Sequence, residues 1–231
     1  MLSWESLYSI KVGGVAPCVS EISEALARRG HEVHVFTRRG DFESYDKING
    51  VHYQRVDVDS SGDVLAQMNR MCDALYYRFE AVQKLFGKFD IMHGHDWHPV
   101  LALTRIKQDF DLPFLLTMHS TEWGRNGNNF GYGISQEISH REWLGCYEAY
   151  RVIVTTRRMQ DELMQIYSLP EEKIRIIPNG IIMGKMRKGL DAGRVKEKYG
   201  IHPMAPLVLF CGRMSIQKGP DLLIEAVPRI L

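Results

Sequence analysis

Apolar and polar positions vary along the chain with two different periods, which separates short strands from amphipathic helices. Runs rich in Val, Ile, Leu and Phe and bounded by Gly, Pro or Asp predict strands at 31–37, 51–57, 89–96, 113–120, 151–156, 174–180 and 206–213. Apolar residues at three- and four-residue steps predict helices at 17–29, 63–86, 98–109, 135–149, 157–167, 191–199 and 219–231. This alternation predicts an α/β fold with a doubly wound parallel sheet, because parallel strands need crossover helices.

The alternation breaks at residues 181–205, where the basic, glycine-containing stretch IIMGKMRKGLDAG precedes a new strand. We therefore predict a first domain at 1–180, a linker with one helix at 181–205 and the start of a second domain at 206–231. One strand and one helix cannot bury a sheet face alone, so the sequence predicts a second domain that is cut short. The opening letters LSW are interpreted in the same way, as the tail of a first strand.

Charge and composition narrow the possible partners and location. The net charge of +1 comes from 29 basic and 28 acidic residues without long charge blocks, which gives no indication of a nucleic-acid or membrane partner. No apolar run approaches the roughly 18–20 residues that cross a bilayer. The N-terminus does not resemble a signal peptide, and the cysteines form no CxxC pair. We expect reduced cysteines and a cytoplasmic location.

The segment IMHGHDWHP (91–99) concentrates three histidines and one aspartate. His93 and His95 lie on one face of a strand, which suits chelation, and the order is similar to the HxHxDH motif of metallo-hydrolases. Here Asp96 comes one place too early and Trp97 fills its position. We therefore predict no metal, and zinc content tests that alternative. Ligands of open α/β sheets bind at the carboxyl ends of strands, which makes Asp96 the candidate functional residue and His93 a packed one.

A glycine pair opens the first predicted helix in the segment KVGGVAP (11–17). Gly13 and Gly14 let backbone N–H groups approach an anion at the positive end of a helix, and Pro17 is favoured in a first turn. Lys11 adds a positive charge. The spacing is not GxGxxG, so a nicotinamide cofactor is not predicted. The pair is also compatible with a simple turn.

His119 lies near the carboxyl end of another predicted strand, in TMHSTEWG (117–124). We expect it to face the same crevice as Asp96, although a hydrogen-bonded structural histidine fits the pattern equally well. Ser120 and Trp123 follow in the same loop and are candidates for acceptor contacts. The Trp123 ring suits stacking on a sugar face, and it also suits simple packing.

The segment CGRMSIQKGPDLL (211–223) places two cations in one predicted strand-to-helix turn. Arg213 ends the predicted strand, and Lys218 precedes Gly219 and the helix. Two cations beside a helix N-terminus favour binding of a diphosphate. A solvated basic loop is the alternative interpretation.

The motifs together resemble one family. KVGGVAP, ALARRGHEVHVFT, HGHDWHP, TMHS, PNGI and GRMSIQKGPDLLIEA occur in the order and spacing of the retaining nucleotide-sugar glycosyltransferases that include glycogen and starch synthases. The resemblance covers nearly the whole chain. It implies two Rossmann-like domains (the GT-B fold) with the active site between them, of which this chain would hold the N-terminal half and the start of the second.

The resemblance also implies roles for the candidate residues. Lys11, Gly13 and Gly14 match the loop that approaches the donor diphosphate and the acceptor. Asp96 matches a residue that contacts the sugar or the acceptor, and His119 matches the one beside the transferred sugar. Arg213 and Lys218 match the pair that neutralises the leaving diphosphate. The implied donor is ADP-glucose or UDP-glucose and the implied acceptor an α-glucan, with no metal or other cofactor. Such enzymes retain the anomeric configuration, and the sequence offers no obvious carboxylate nucleophile.

Two departures keep alternatives open. The family usually has Asp after PNG-[IV], but Ile182 stands there. The family's Glu-rich motif for the ribose and donor sugar would lie beyond Leu231, so we expect residues 1–231 alone to be weakly active or inactive. A glycosyltransferase with a lipid or small-molecule acceptor, or a non-catalytic glucan-binding fragment, are the alternatives.

Overall fold

The computed structural model describes residues 1–185 and 189–230. Its strands are β1 (Val33–Arg38), β2 (Tyr45–Ile48), β3 (Val51–Val56), β4 (Met92–His95), β5 (Phe114–Met118), β6 (Arg151–Val154) and β7 (Ile174–Ile176). Its α-helices are α1 (Val15–Arg28), α2 (Val64–Phe86), α3 (Val100–Phe110), α4 (Glu122–Arg125), α5 (Ile134–Glu148), α6 (Arg157–Tyr167), α7 (Ala192–Lys198) and α8 (Pro220–Ile230). The seven predicted helices and the first six predicted strands are confirmed, with ends shifted by a few residues.

The strands form two hydrogen-bonded groups, β1-β3-β2 and β4-β5-β6-β7. All neighbours are parallel except β2 and β3. Leu2 makes parallel bridges to Phe36 of β1 and to Gly94 of β4, so the opening segment lies between the two groups. The segment predicted as a strand tail therefore contributes bridges at Leu2.

The hairpin of β2 and β3 was missed by the sequence analysis. Asn49 and Gly50 connect these strands with φ angles of 51° and 84°, and this Asn-Gly pair is a strong signal for a two-residue hairpin turn. The strand YDKI was overlooked because only Tyr45 and Ile48 are apolar, and all four of its residues are at least partly exposed. An edge strand needs no continuous apolar run.

Helices cover both faces of the sheet. On one face, Val19 of α1 packs with Val35 and Tyr53. On the other face, the residues of α2 at three- and four-residue steps, including Met68 and Phe79, join the larger core. The helix α2 begins where the Asp63 side chain accepts a hydrogen bond from the backbone N–H of Ala66 at 2.8 Å. The burial pattern is that of a doubly wound sheet.

Gly94 allows β4 and α3 to approach each other closely. A Cβ atom at this position would lie 2.3 Å from Cδ1 of Leu103 and 3.2 Å from Cδ1 of Leu116. Close packing therefore requires a glycine at this position of HGHDWH, because a side chain would collide with Leu103 of α3.

The chain divides into two compact units, Met1–Asn179 and Gly180–Leu231. In the second unit the strand predicted at 206–213 is wrong, because residues 206–211 have no regular structure there. A strand requires a partner for its backbone N–H and C=O groups, and the described residues of this unit contain no other strand. Residues 186–188 of the predicted linker and Leu231 of the predicted last helix lie outside the described residues.

Candidate functional site

Polar side chains gather at the carboxyl ends of β4 and β5. Asp96 follows β4, and His119 follows β5 by one residue. Asp96 has a φ of 58°, a left-handed conformation that costs energy for any residue other than glycine and is least unfavourable for Asn and Asp. Backbone strain of this kind is concentrated at functional sites.

A carboxylate-to-backbone contact holds the two strand ends together. The backbone N–H of His119 donates to Oδ1 of Asp96 at 2.8 Å, and the N–H of Asp96 donates to the Thr117 carbonyl at 2.9 Å. The Asp96 side chain is buried. Burial raises the pKa of Asp96, and the neighbouring His119 and Arg125 offset part of that rise. The structure thus brings together Asp96 and His119, as expected from their positions after adjacent strands.

The imidazole of His119 is fixed by a second histidine. Nδ1 of His95 lies 3.1 Å from Nε2 of His119 in a hydrogen bond, and the two rings stack. Nε2 of His95 is buried and has no hydrogen-bond partner in the described part of the chain. Burial lowers the pKa of His95 far below its usual range and lowers that of His93 to about 3, so both rings are neutral at physiological pH.

The other two histidines of the segment 91–99, His93 and His98, contact neighbouring side chains. His93 is hydrogen-bonded through Nε2 to Oγ1 of Thr117 at 2.7 Å. The His98 ring stacks between Trp97 and Trp4, with centroid distances of 4.4 and 5.1 Å. Neither ring forms a chelate with Asp96, whose carboxylate accepts from backbone N–H groups instead.

The glycine loop lies beside these strand ends. Gly14 precedes α1, and a ligand atom of Cys18 in that helix lies within 4.8 Å of one on His95 and one on His119. The N–H groups of Val12 and Gly13 both donate to the Glu5 carboxylate, with 2.6 Å between the Gly13 nitrogen and Oε2. An anionic oxygen therefore already occupies the position facing these two amides. Lys11 is exposed.

Glu5 was missed by the sequence analysis. It is only 3% exposed, and its loop carries no recognisable element pattern. The Glu5 charge also acts on Arg38, whose guanidinium stacks 3.1 Å above the Trp4 ring centroid. Burial lowers the pKa of Arg38 to about 10, which leaves it positively charged. The only available signal was an acidic residue eight positions before a glycine pair, which is weak by itself.

An ion-pair network around the buried Glu142 carboxylate anchors the loop after β5. Arg125 donates to Oγ of Ser120 at 2.6 Å and lies 2.7 Å from Glu142 and 2.9 Å from Glu122. The hydroxyl of Tyr167 donates to Glu142 at 2.7 Å. Burial raises the pKa of Glu142, and the Arg125 charge opposes that rise. Ser120 is therefore held by Arg125, a residue that sequence analysis did not single out.

The remaining predicted residues are placed as follows. Trp123 lies half-buried in α4, directly after the loop that begins at His119. Arg213 and Lys218 are both exposed and belong to the second unit, where Lys218 ends a short 3-10 helix. Gly219 follows with a φ of 61°, and α8 begins at the next residue. Lys218 therefore precedes a helix N-terminus, as its sequence predicts.

Two groups in the described residues have the ligand types and spacing for a metal ion. One consists of Cys18, His95 and His119, and the other of Glu32, His34 and His52. The described residues contain no helix that is both long and apolar enough to cross a membrane.

Comparison with known proteins shows which family the sequence of this chain resembles. Residues 12–183 match the sequence profile of Glycosyltransferase Family 4. An uncharacterized glycosyltransferase of Methanocaldococcus jannaschii is 33% identical over 238 residues, which cover 100% of this chain and 59% of that protein. A D-inositol 3-phosphate glycosyltransferase of Xylanimonas cellulosilytica is 25% identical, with 94% of this chain and 55% of that protein covered. A glycogen synthase of Mycobacterium tuberculosis is 29% identical, with 100% and 57% covered. The chain thus spans less than two thirds of the length of these relatives.

Solved structures share the fold. Sucrose-phosphate synthase from Thermosynechococcus elongatus superposes with a TM-score of 0.79 at 20% identity, covering 99% of this chain and 59% of that one. The catalytic domain of starch synthase IV from Arabidopsis thaliana, bound to ADP and acarbose, gives 0.69 at 16% identity, covering 99% and 65%. Both are GT-B enzymes, and the predicted α/β fold, corresponding to the N-terminal half of a GT-B enzyme, is confirmed.

Proposed function

We propose a function from the premise that this chain belongs to Glycosyltransferase Family 4: it takes part in glucosyl transfer from a nucleotide-sugar, ADP-glucose or UDP-glucose, to an α-glucan, with retention of the anomeric configuration. The observation that carries the proposal is the pairing of Asp96 and His119. Two adjacent parallel strands end side by side, and a strained aspartate fixes the backbone of the histidine there.

His119 is the proposed contact to the transferred sugar. Its Nε2 is held by His95, and Nδ1 makes no hydrogen bond within the described residues, so Nδ1 is the nitrogen that remains for a sugar hydroxyl. Because the ring is fixed before substrate binds, its hydrogen bond costs little reorganisation during the reaction. Asp96 orients the His119 backbone and supplies negative charge behind the site, where an oxocarbenium-like sugar develops positive charge.

Arg213 and Lys218 are the proposed partners of the leaving diphosphate. Breaking the anomeric bond increases the negative charge on the diphosphate, and fixed cations stabilise that charge more in the transition state than in the ground state. The exposure of both side chains, with Lys218 beside the start of α8, supports this role. The glycine loop with Lys11 would approach the same donor, and Trp123 and Ser120 would border the acceptor.

Retention by a front-face route, without a covalent intermediate between sugar and protein, is supported by the state of two carboxylates, one after β4 and one beside the glycine loop. Asp96 accepts from the His119 amide, and Glu5 accepts from the Val12 and Gly13 amides. A carboxylate engaged in this way is a poor nucleophile for a covalent sugar intermediate. Product stereochemistry, measured by nuclear magnetic resonance on the first turnover, checks retention directly.

The acceptor has a second candidate. A relative named as a D-inositol 3-phosphate glycosyltransferase covers 94% of this chain at 25% identity, which supports a small phosphorylated polyol as a second acceptor. The glucan remains the leading acceptor because of the combined HDWH, KVGG and GRMSIQKG motifs.

The test is a transfer assay with radiolabelled donors on the protein expressed from its complete natural reading frame. ADP-glucose and UDP-glucose are each supplied with glycogen, with inositol phosphate or with no acceptor. Label in glycogen supports the proposal, and label in inositol phosphate supports the alternative acceptor. Glycogen binding without transfer from either donor would contradict catalysis and favour a glucan-binding protein. Residues 1–231 are assayed in parallel, and robust turnover by them would contradict the expectation of weak activity.

A further inference from the structure

We propose that Cys18, His95 and His119 form a binding site for a soft divalent cation such as Zn²⁺, and that occupation of this site inhibits the protein because a cation on Nε2 of His119 opposes the positive charge that develops on the transferred sugar. The metal-binding part stands on the geometry alone. The inhibitory part rests on the function proposed above.

The three residues come from three separate elements that converge on one point. Cys18 lies in the first turns of α1, His95 ends β4 and His119 follows β5. One ligand atom from each residue lies within 4.8 Å of the other two. The first unit contains all three residues, so no second chain is needed to complete the set.

The spacing of the two imidazoles suits coordination as well as hydrogen bonding. Zinc–nitrogen bonds of about 2.0–2.1 Å at a tetrahedral angle separate two ligand nitrogens by about 3.3–3.4 Å. The observed separation of His95 Nδ1 and His119 Nε2 is 3.1 Å. The separation of the two nitrogens would therefore need to change by only a few tenths of an ångström to match that of two zinc ligands.

The side chains also have the chemistry that a soft cation prefers. Imidazole and thiolate suit Zn²⁺, and a neutral ring is needed because a protonated one has no lone pair to donate. Burial keeps His95 neutral. Its Nε2 is buried without a partner, so the ring can carry its proton on Nε2 and leave the Nδ1 lone pair facing His119. His119 would carry its own proton on Nδ1.

Binding requires a defined movement of protons. In the metal-free state one of the two facing nitrogens carries a proton that the other accepts. On binding, that proton moves to the second nitrogen of the same ring, and the Cys18 thiol releases its proton to solvent. The thiol now donates to Oδ1 of Asn179 at 3.5 Å, a weak contact whose loss costs little. Three protein ligands leave a fourth position for water.

The second candidate group is less suitable. In this group, Nε2 of His34 is hydrogen-bonded to Glu32 and Nδ1 of His34 to Gln54. Nδ1 of His52 is hydrogen-bonded to the Tyr45 hydroxyl. The Gln54 amide donates to His34 Nδ1 while its carbonyl oxygen accepts from Arg78, so the proton of neutral His34 is directed to Nε2, where a metal would have to bind. This network is satisfied without an ion.

Cobalt titration tests the site on the reduced, chelator-stripped protein. Co²⁺ bound through a thiolate gives a sulfur-to-metal charge-transfer band in the near ultraviolet, and Zn²⁺ added afterwards displaces it. We expect one equivalent of Co²⁺ to produce the band. Cys18→Ser should abolish it, and His95→Asn should weaken zinc affinity at least about tenfold. Absence of the band in the unsubstituted protein would overturn the proposal.

Cys211→Ser is the matched control, because Cys211 is an exposed thiol and lies in the second unit. It should retain the full band, and loss of the band in this variant would place the metal elsewhere. Circular dichroism establishes that each variant is folded.

Inhibition is measured separately as the zinc concentration that halves each variant's own zinc-free transfer rate. We expect Cys18→Ser to need at least about tenfold more zinc. Equal inhibition of both proteins would overturn the inhibitory role and leave the cobalt result standing. If the unsubstituted protein transfers no sugar, the proposed function fails and the cobalt titration still decides the site.

Discussion

Two clusters of histidines in the first unit contain similar residues and differ in what they can do. The crevice cluster consists of Cys18, His95 and His119, at the carboxyl ends of β4 and β5. The sheet cluster consists of Glu32, His34 and His52, around a cross-strand pair of β1 and β3. Burial is the first cause of a lowered pKa for His95 in the first cluster and for both histidines in the second.

Hydrogen bonding separates the two clusters. The His34 and His52 rings stack almost in parallel at 4.5 Å, and their polar partners belong to the surrounding strands or to the residue before β1. In the crevice cluster, Nε2 of His95 has no partner among the described residues, and His119 keeps one nitrogen uncommitted. A lowered histidine pKa therefore does not identify a functional site; an unsatisfied nitrogen at a ligand-binding edge of the sheet does so better.

Replacing His119 of the crevice cluster is expected to give the largest difference in transfer rate between the two clusters. We expect His119→Ala to reduce transfer by about a hundred- to a thousandfold, as when one preorganised donor is lost from a transition state. His34→Ala should change transfer by less than about twofold, since the sheet cluster does not face the sugar site. Initial rates with saturating donor measure both. An unchanged rate for His119→Ala would remove the central assignment.

Two polar contacts, Arg125 with Glu142 and Arg78 with Gln54, should contribute differently to the free energy of unfolding. Arg125→Ala leaves the Glu142 carboxylate buried without its cation, and we expect the free energy of unfolding to fall by about 2 kcal/mol. That figure is below the usual cost of breaking a buried pair, because Arg125 is partly exposed and Glu142 can take up a proton. Arg78→Ala, which removes the bond to Gln54 beside the sheet cluster, should cost less than about 1 kcal/mol. Urea unfolding measures both, and equal losses would contradict this ranking.

The charge of Asp96 should matter less than the ring of His119. Asn tolerates the left-handed backbone at this position and retains an oxygen that accepts from the His119 amide. Asp96→Asn therefore removes mainly the negative charge, and we expect transfer to fall about tenfold. Asp46→Asn, at an acidic residue of the distant strand β2, is the control. A drop of equal size in the control would argue against a specific role for Asp96.

Acid sensitivity is the property that both clusters should share. Burial holds the pKa of His95 and of His34 below the unfolded value of about 6.5, so the unfolded chain takes up the proton first. The free energy of unfolding that these two neutral rings contribute is present above about pH 6.5 and is lost as the pH falls. We expect His95→Gln and His34→Gln each to flatten the fall in unfolding free energy between pH 6.5 and 5 by up to about 1 kcal/mol per pH unit. Urea unfolding at several pH values checks this, and an unchanged slope in both variants would contradict neutral burial.

Much of the fold could be predicted because its signals are local. The apolar spacing of α2 and the continuous apolar runs of β5 and β6 are encoded within a few residues of themselves. The strand predicted at 206–213 shows the limit of this reasoning. Its residues have the composition of a strand, but a strand exists only when another backbone pairs with it.

The candidate site could be predicted in part. Asp96 and His119 were found because parallel strands end at the same edge, so position after a strand is enough to place them together. Glu5 and Arg125 were not found, since nothing near them in sequence shows that one binds the glycine loop and the other the Glu142 carboxylate. The pair His95 and His119 is 24 residues apart, and its hydrogen bond depends on the register of β4 and β5.

The sequence by itself determined most of the order of strands and helices, the burial of their apolar faces and the residue types at the strand ends. Only the tertiary structure decided which of those residues meet: Cys18 with His95 and His119, Glu5 with the Gly13 amide, and Arg125 with Glu142. The physical reason is that periodicity reports the environment of one segment, whereas a hydrogen bond between distant residues depends on sheet order, register and helix placement together.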